Sequence, residues 1–235
     1  MIYIKQYGAK RSGTNYTRWL LQENFAGVQV LSEVLGWKHG PHPHTIDWSG
    51  ADWIDVSHGR AAQAEKRRLL AMVTDDLRRA AASGELRYVA TVKNPYAWWD
   101  SYSRFVETKR PDLAMTPEEG VDLWNSLHAN WHALSRQPLA AMVQYENLLL
   151  DLDAALDRIA DRLRLTKSLG GYRNAEVRMA RRSDLSWGMG QTNKPFDPSY
   201  YTDRKYLARF DGALMDLFRR RLSAPLMRAL GYEVL

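Results

Sequence analysis

The chain has 235 residues, 45% of them hydrophobic, and a formal net charge of +6 with a pI near 9.5. That length and apolar content suffice for a sizeable core, and no stretch has the composition of a linker, so a single domain over 1–235 is expected. No apolar run approaches the ~20 residues needed to cross a bilayer. The amino-terminal MIYIKQYGAK has the pattern of a strand rather than of a secretion signal, and cysteine is absent, which excludes a disulfide framework, a thiolate nucleophile and a cysteine metal site. The expectation is a cytoplasmic protein with no membrane partner. Its basic residues are scattered rather than gathered in one block; a small polyanion fits that charge as well as nucleic acid does, and no nucleic-acid partner is expected.

Taken in chain order, the elements alternate. Ile2 to Tyr7 alternates apolar and polar side chains as a strand does, and Thr14 to Phe25 carries a helical stripe. A short strand at Val28 to Leu31 precedes a Gly, Pro, His and Trp-rich region, 36–59, whose length without periodicity points to a functional loop. Arg60 to Ser83 reads as helix, Leu86 to Lys93 as a buried strand, and a further helix opens with Pro95 at its first position, where the missing N–H costs least. Thr116 is placed to cap a helix over Pro117 to Ser135; Leu139 to Glu146 reads as a strand and Leu152 to Leu165 as an amphipathic helix. The polar, basic stretch Thr166 to Thr202 is followed by helical patterns at Asp203 to Leu222 and near Met227. Alternation of this kind predicts an α/β fold of three layers, a mainly parallel sheet flanked by helices.

The stretch QYGAKRSGTNYTRWLL, Gln6 to Leu21, joins the first strand to the first helix. Backbone N–H groups in such a loop can converge on one anion, and the positive end of the helix dipole adds to the attraction. Gly8 and Gly13 have the spacing of a nucleotide-hydrolysing P-loop, but Thr14 stands where its lysine belongs and Asn15 where its Mg²⁺ ligand belongs. The cations come earlier, at Lys10 and Arg11, and with Ser12, Thr14 and Asn15 they form a set of donors suited to gripping an anion without metal.

RSGTN at Arg11 to Asn15 resembles the 5′-phosphosulfate loop of the sulfotransferases that use 3′-phosphoadenosine-5′-phosphosulfate, departing from it at Lys10, where that family has proline, and at Asn15. VKNPYAWWDSYSRF is similar to the family's 3′-phosphate element, with Lys93 in place of its arginine and Ser101 eight residues on. Lysine keeps the charge but loses the planar fork. The Trp-containing helix, the Tyr145-Glu146-Asn147-Leu148 run and the closing RALGYE also resemble family blocks, in the same order. The resemblance implies a P-loop NTPase-like sulfotransferase fold, transfer of a sulfuryl group to a hydroxyl or amine of a small-molecule or glycan acceptor, and adenosine 3′,5′-bisphosphate as the product. It implies donor contacts from Lys10, Arg11, Ser12, Gly13, Thr14, Asn15, Lys93 and Ser101, with Arg11 neutralising the leaving 5′-phosphate and no metal required. The polar segment 166–202 would be a mobile cover, with Arg182 and Lys194 as further donor contacts.

GWKHGPHPH, Gly36 to His44, falls where the family often has Lys-Thr-His, which makes His39 the expected general base and Lys38 a cation on the transferring group. Glu33 is the second candidate for the base, and His42, His44 and His58 are candidates to line an acceptor pocket within 36–59. His128 and His132 stand four apart on a helix, as metal ligands can, but lack an accompanying glutamate and read as structural; Trp98, Trp99, Trp124 and Trp131 read as core before ring-stacking platforms. A nucleotide kinase-like enzyme on the same fold and a non-catalytic adenosine bisphosphate-binding protein are the alternative functions.

Overall fold

Four parallel strands form the centre of the protein in a computed structural model whose described residues are 1–31, 36–43, 75–175, 177–181, 189–195 and 197–235. Strand β1 (Ile2–Gly8) leads into helix α1 (Thr14–Asn24) and returns to β2 (Val28–Leu31). Residues 75–82 are helical (α2) and lead to β3 (Arg87–Val92), α3 (Pro95–Lys109), α4 (Pro117–Ser135) and β4 (Ala140–Gln144). Helices α5 (Tyr145–Leu150) and α6 (Leu152–Leu163) follow, then an antiparallel pair, β5 (Val177–Arg181) and β6 (Met189–Pro195), then α7 (Ser199–Thr202), α8 (Gly212–Arg221) and α9 (Ala224–Ala229).

The sheet order is β2-β1-β3-β4, so the chain steps to one side of β1 and then to the other. In such a sheet the loops leaving β1 and its later neighbour diverge above the strand ends, and the crevice between them is where ligands of α/β sheets bind. Register puts the crevice between two particular residues: Gly8 pairs with Thr91, two positions before Lys93.

Side chains alternate across the sheet and create two cores. On one face Ile4, Val89, Ala141 and Val143 meet Leu20 and Leu21 of α1 and Leu156, Ile159 and Leu163 of α6. On the other, Tyr7, Ala90 and Val92 meet the aromatic faces of α3 and α4, with Phe218 and Met227 from α8 and α9 closing the layer. The sheet is thus covered on both sides, as the α/β alternation predicts.

Local chemistry sets the helix starts. The Asn94 side chain accepts from Tyr96 N–H and Ala97 N–H with Pro95 at the first position of α3, and Thr116 and Glu119 form a reciprocal capping box on α4. Two expected spans differ. The strand expected over 139–146 ends at Gln144, because Tyr145 begins α5 and this turn brings the Glu146 carboxylate to the Asn94 N–H, 2.9 Å away. The helix expected over 203–222 is broken: Lys205–Arg209 is a 3-10 turn, and Asp211 caps α8 by accepting from Leu214 N–H at 2.8 Å. Of the expected helix over 60–83, residues 60–74 lie outside the described residues.

A candidate anion-binding site between two strand ends

The loop from Ala9 to Gly13 holds two residues in the left-handed region, Arg11 at φ 72° and Gly13 at φ 87°. Gly13 is required there twice over, by its backbone and by its neighbour, since a Cβ would run into the Tyr145 ring. As the N-cap of α1 it offers no side-chain oxygen, so the first-turn N–H groups, which no helix satisfies internally, are not closed by a cap as those of α3 and α4 are. Ser12 is turned inward, its hydroxyl donating to the Ala9 carbonyl at 2.8 Å and its N–H to the same oxygen at 3.1 Å. Thr14 is buried and its carbonyl accepts from Gln6 Nε2 at 2.7 Å. The charged members of the loop rest on aromatic rings: Lys10 Nζ lies 4.8 Å above the Trp37 ring, and the exposed Arg11 guanidinium lies 5.0 Å above Phe105 of α3.

Across the crevice, Lys93 follows β3 and is 3% exposed. Its ammonium sits between two aromatic faces, 5.5 Å from the Tyr145 ring centre and 5.4 Å from that of Tyr201. Burial pushes its pKa down to about 7 against the attraction of Glu146, and Arg11 is near enough to lower it further. Ser101 is half-buried on α3, one turn before Phe105 and so on the side of the helix that Arg11 covers. The 93–94 peptide is clamped from both sides: Trp124 Nε1 donates to the Lys93 carbonyl at 3.1 Å, while Glu146 accepts from Asn94 N–H and, through its other oxygen, from the Tyr232 hydroxyl at 2.8 Å. Burial pushes the Glu146 carboxyl up. Tyr201 is held in place by its neighbour, whose hydroxyl donates to the buried Asp100 that also takes Arg104.

The segment 36–43 reaches the same strand end. Gly8 N–H donates to the Lys38 carbonyl at 2.9 Å, and His39 Nδ1 lies 2.6 Å from the Gly8 carbonyl. A carbonyl only accepts, so Nδ1 carries the proton and Nε2 keeps its lone pair. Burial, with Lys38, Lys10 and Lys5 adding to it, lowers the His39 pKa to about 3, so the ring is neutral across the physiological range. Lys38 Nζ donates to Asn15 Oδ1 at 3.0 Å, joining this segment to the first turn of α1. Lys5, fully buried on β1, donates to the Gly36 carbonyl at 2.6 Å. His42 instead lies against the sheet face, with its Nδ1 3.1 Å from the Tyr7 hydroxyl and its backbone clamped by Asn130. Glu33, His44, His58 and Arg182 fall outside the described residues, and Lys194 is placed in β6 by its backbone alone.

The four tryptophans of α3 and α4 belong to the core. His128 is buried beside them, stacked on Trp124 at 4.1 Å between ring centres, with Nδ1 2.7 Å from the Trp124 carbonyl; burial lowers its pKa to about 3. His132 borders a groove of about 480 Å³ along β4, and no group of three or more potential metal ligands occurs among the described residues. Nor is any helix among them long and apolar enough to cross a membrane.

The sequence drew attention to Arg11, Lys38, His39, Lys93 and Ser101, and all five lie around the strand ends. It gave no special place to Lys5 or Tyr201, and took Tyr232 only as part of the closing RALGYE block. Lys5 carries a signal in hindsight, a lysine inside a strand destined to be covered on both faces; Tyr201 carries none, because its position depends on how a distant segment folds back, and the RALGYE block that holds Tyr232 does not by itself place the hydroxyl on Glu146.

No protein-family model and no curated protein matches the chain. Among solved structures it is similar to the sulfotransferase domain from the Synechococcus PCC 7002 olefin synthase and the sulfotransferase domain from the curacin biosynthetic pathway. Each is 16% identical with a TM-score of 0.44, and the match covers 100% of this chain and 95% and 98% of those domains respectively.

Proposed function

We propose that the protein is a sulfotransferase that moves a sulfuryl group from 3′-phosphoadenosine-5′-phosphosulfate to a hydroxyl or amine. One observation carries this reading: the uncapped start of α1 with Arg11, and the buried Lys93 cation, stand at neighbouring strand ends close enough for their charges to interact. A small molecule with an anionic group at each end fits that pair, and Thr14 and Asn15 leave the loop without the lysine and metal ligand of an ATP-hydrolysing one.

The donor supplies the sulfuryl group. In this reading Lys10, Arg11 and the N–H groups of Gly13, Thr14 and Asn15 hold its 5′ end and offset the charge that builds on the leaving phosphate. Lys93 and Ser101 hold the 3′-phosphate. The acceptor oxygen or nitrogen bonds to sulfur as the bond to the bridging oxygen breaks, and the acceptor proton passes to His39 Nε2. Lys38, now on Asn15, contacts the transferring group. A bound polyanion raises the His39 pKa from its low resting value toward the working pH, which makes the ring a better base when the donor is present. Arg182 and Lys194 are proposed to reach the 3′-phosphate from the segment 166–202.

Thermal-shift measurements test the donor: adenosine 3′,5′-bisphosphate should stabilise the protein without Mg²⁺ and ATP far less, with Arg11→Ala and Lys93→Ala weakening the shift. Preference for ATP with Mg²⁺ would turn the reading to a kinase-like enzyme. His39→Ala should retain bisphosphate binding and lose transfer of labelled sulfate; binding in wild type with no transfer to any acceptor in a screen would leave a non-catalytic binding protein.

A further inference from the structure

A hydrogen bond ties the anion loop to the aromatic core. Trp98 of α3 is 1% exposed, and its indole Nε1–H donates to the Lys10 carbonyl at 2.8 Å. The peptide that begins with this carbonyl ends at Arg11, which is held left-handed at φ 72° although it is not glycine, a conformation that costs an ordinary residue about 1–2 kcal/mol. A trans peptide points its C=O and N–H in opposite directions. With the Lys10 oxygen drawn inward to the indole, the Arg11 N–H points the other way, away from the Trp98 ring.

We propose that Trp98 is a positioning residue for anion binding, pinning the Lys10–Arg11 peptide so that the loop presents an N–H rather than a C=O at its mouth. Rotation of this peptide is the natural escape from the strain at Arg11, and it would replace an attractive group with a repulsive one without disturbing the rest of the fold. The same device recurs at the other two loops, where Trp124 takes the Lys93 carbonyl and Trp131 the Gly40 carbonyl at 3.2 Å. Trp99 serves as a natural control: it lies in the same aromatic cluster and, among the described residues, its indole makes no bond to a loop.

The inference rests on the donor reading for the identity of the ligand, but not for the geometry of the loop. Calorimetry with adenosine 3′,5′-bisphosphate and, separately, with inorganic pyrophosphate tests it in wild type, Trp98→Phe and Trp99→Phe. Trp98→Phe should bind about tenfold more weakly, as loss of one well-formed hydrogen bond to the loop implies, with slower amide-proton exchange at Arg11 as its N–H turns inward. Trp99→Phe should lower the unfolding temperature while leaving affinity and exchange unchanged. If Trp98→Phe does not fold, 3-benzothienylalanine at position 98, which keeps the ring shape and lacks the N–H, should give the same loss. Pyrophosphate binding that depends on Trp98 without bisphosphate binding would sink the donor reading and keep this inference. Binding by Trp98→Phe within twofold of wild type overturns the inference, and so does a wild type that binds neither anion.

Discussion

At the end of β3 the Lys93 ammonium is enclosed by Tyr145 and Tyr201, and its pKa is pushed from 10.5 to about 7. The folded protein therefore gives up this proton before the unfolded chain does. Between those two values the unfolded state binds more protons, so stability rises with pH through that window, and below about 7 the buried charge imposes its full cost. Lys93→Met should accordingly raise the unfolding temperature at pH 6, with the gain fading above pH 10, while abolishing bisphosphate binding. A lower unfolding temperature at pH 6 would mean that the ammonium is well satisfied in the folded protein. An anion docking on Lys93 restores the proton, so bisphosphate binding at pH 8 should take up a fraction of a proton, read as a dependence of the calorimetric enthalpy on the buffer. His128 has the opposite acid behaviour to a salt-bridged histidine: its pKa falls to about 3, so stability is lost as pH drops from 6.5 toward 3. His128→Phe, which can occupy the space beside Trp124, should flatten that acid limb by up to ~1.4 kcal/mol per pH unit; an unchanged urea midpoint profile between pH 7 and 4 would rule this out.

Individual elements divide into those that serve stability and those that serve the site. The capping box on α4 is a reciprocal bond between Thr116 and Glu119, so Thr116→Ala should cost about 1 kcal/mol of stability and leave bisphosphate affinity unchanged. The start of α1 is built the other way, with no cap and with Gly13 against Tyr145. Gly13→Ala combines left-handed strain with displacement of the ring that flanks Lys93, and should abolish bisphosphate binding even where the protein stays folded at 25 °C. Normal binding by Gly13→Ala, checked by the same calorimetry, would remove Tyr145 from the architecture of the site. The elements themselves were legible to the extent that their signals are local. Pro95 and Thr116 mark helix starts by their own chemistry, and Val28 to Leu31 stands as read. Tyr145 and Glu146 read as strand because they continue an apolar run, yet Glu146 is drawn into a helical turn by the Asn94 N–H and the Tyr232 hydroxyl, groups 52 and 86 residues away. The stretch from Lys205 to Arg221 reads as one helix until Asp211 caps its second half.

For the molecule as a whole, one bisphosphate should bind per chain, and Arg11→Ala and Lys93→Ala should weaken the same event. Two binding events, each removed by one variant, would show that the two strand ends work as separate sites. That convergence follows from strand order, which places β3 directly beside β1. From its own residues the sequence determined the α/β alternation, the glycine loop after the first strand and the cations at 11, 38 and 93, because strand period, helix caps and loop composition are written within a few positions of where they act. Only the tertiary structure decided that Ser12 faces inward, that His39 is tied to Gly8 and held neutral, that Lys93 is roofed by tyrosines from two distant segments, and that tryptophan N–H groups reach the loop carbonyls. Those outcomes depend on burial and on contacts between residues far apart in the chain, for which a linear pattern holds no local energy term.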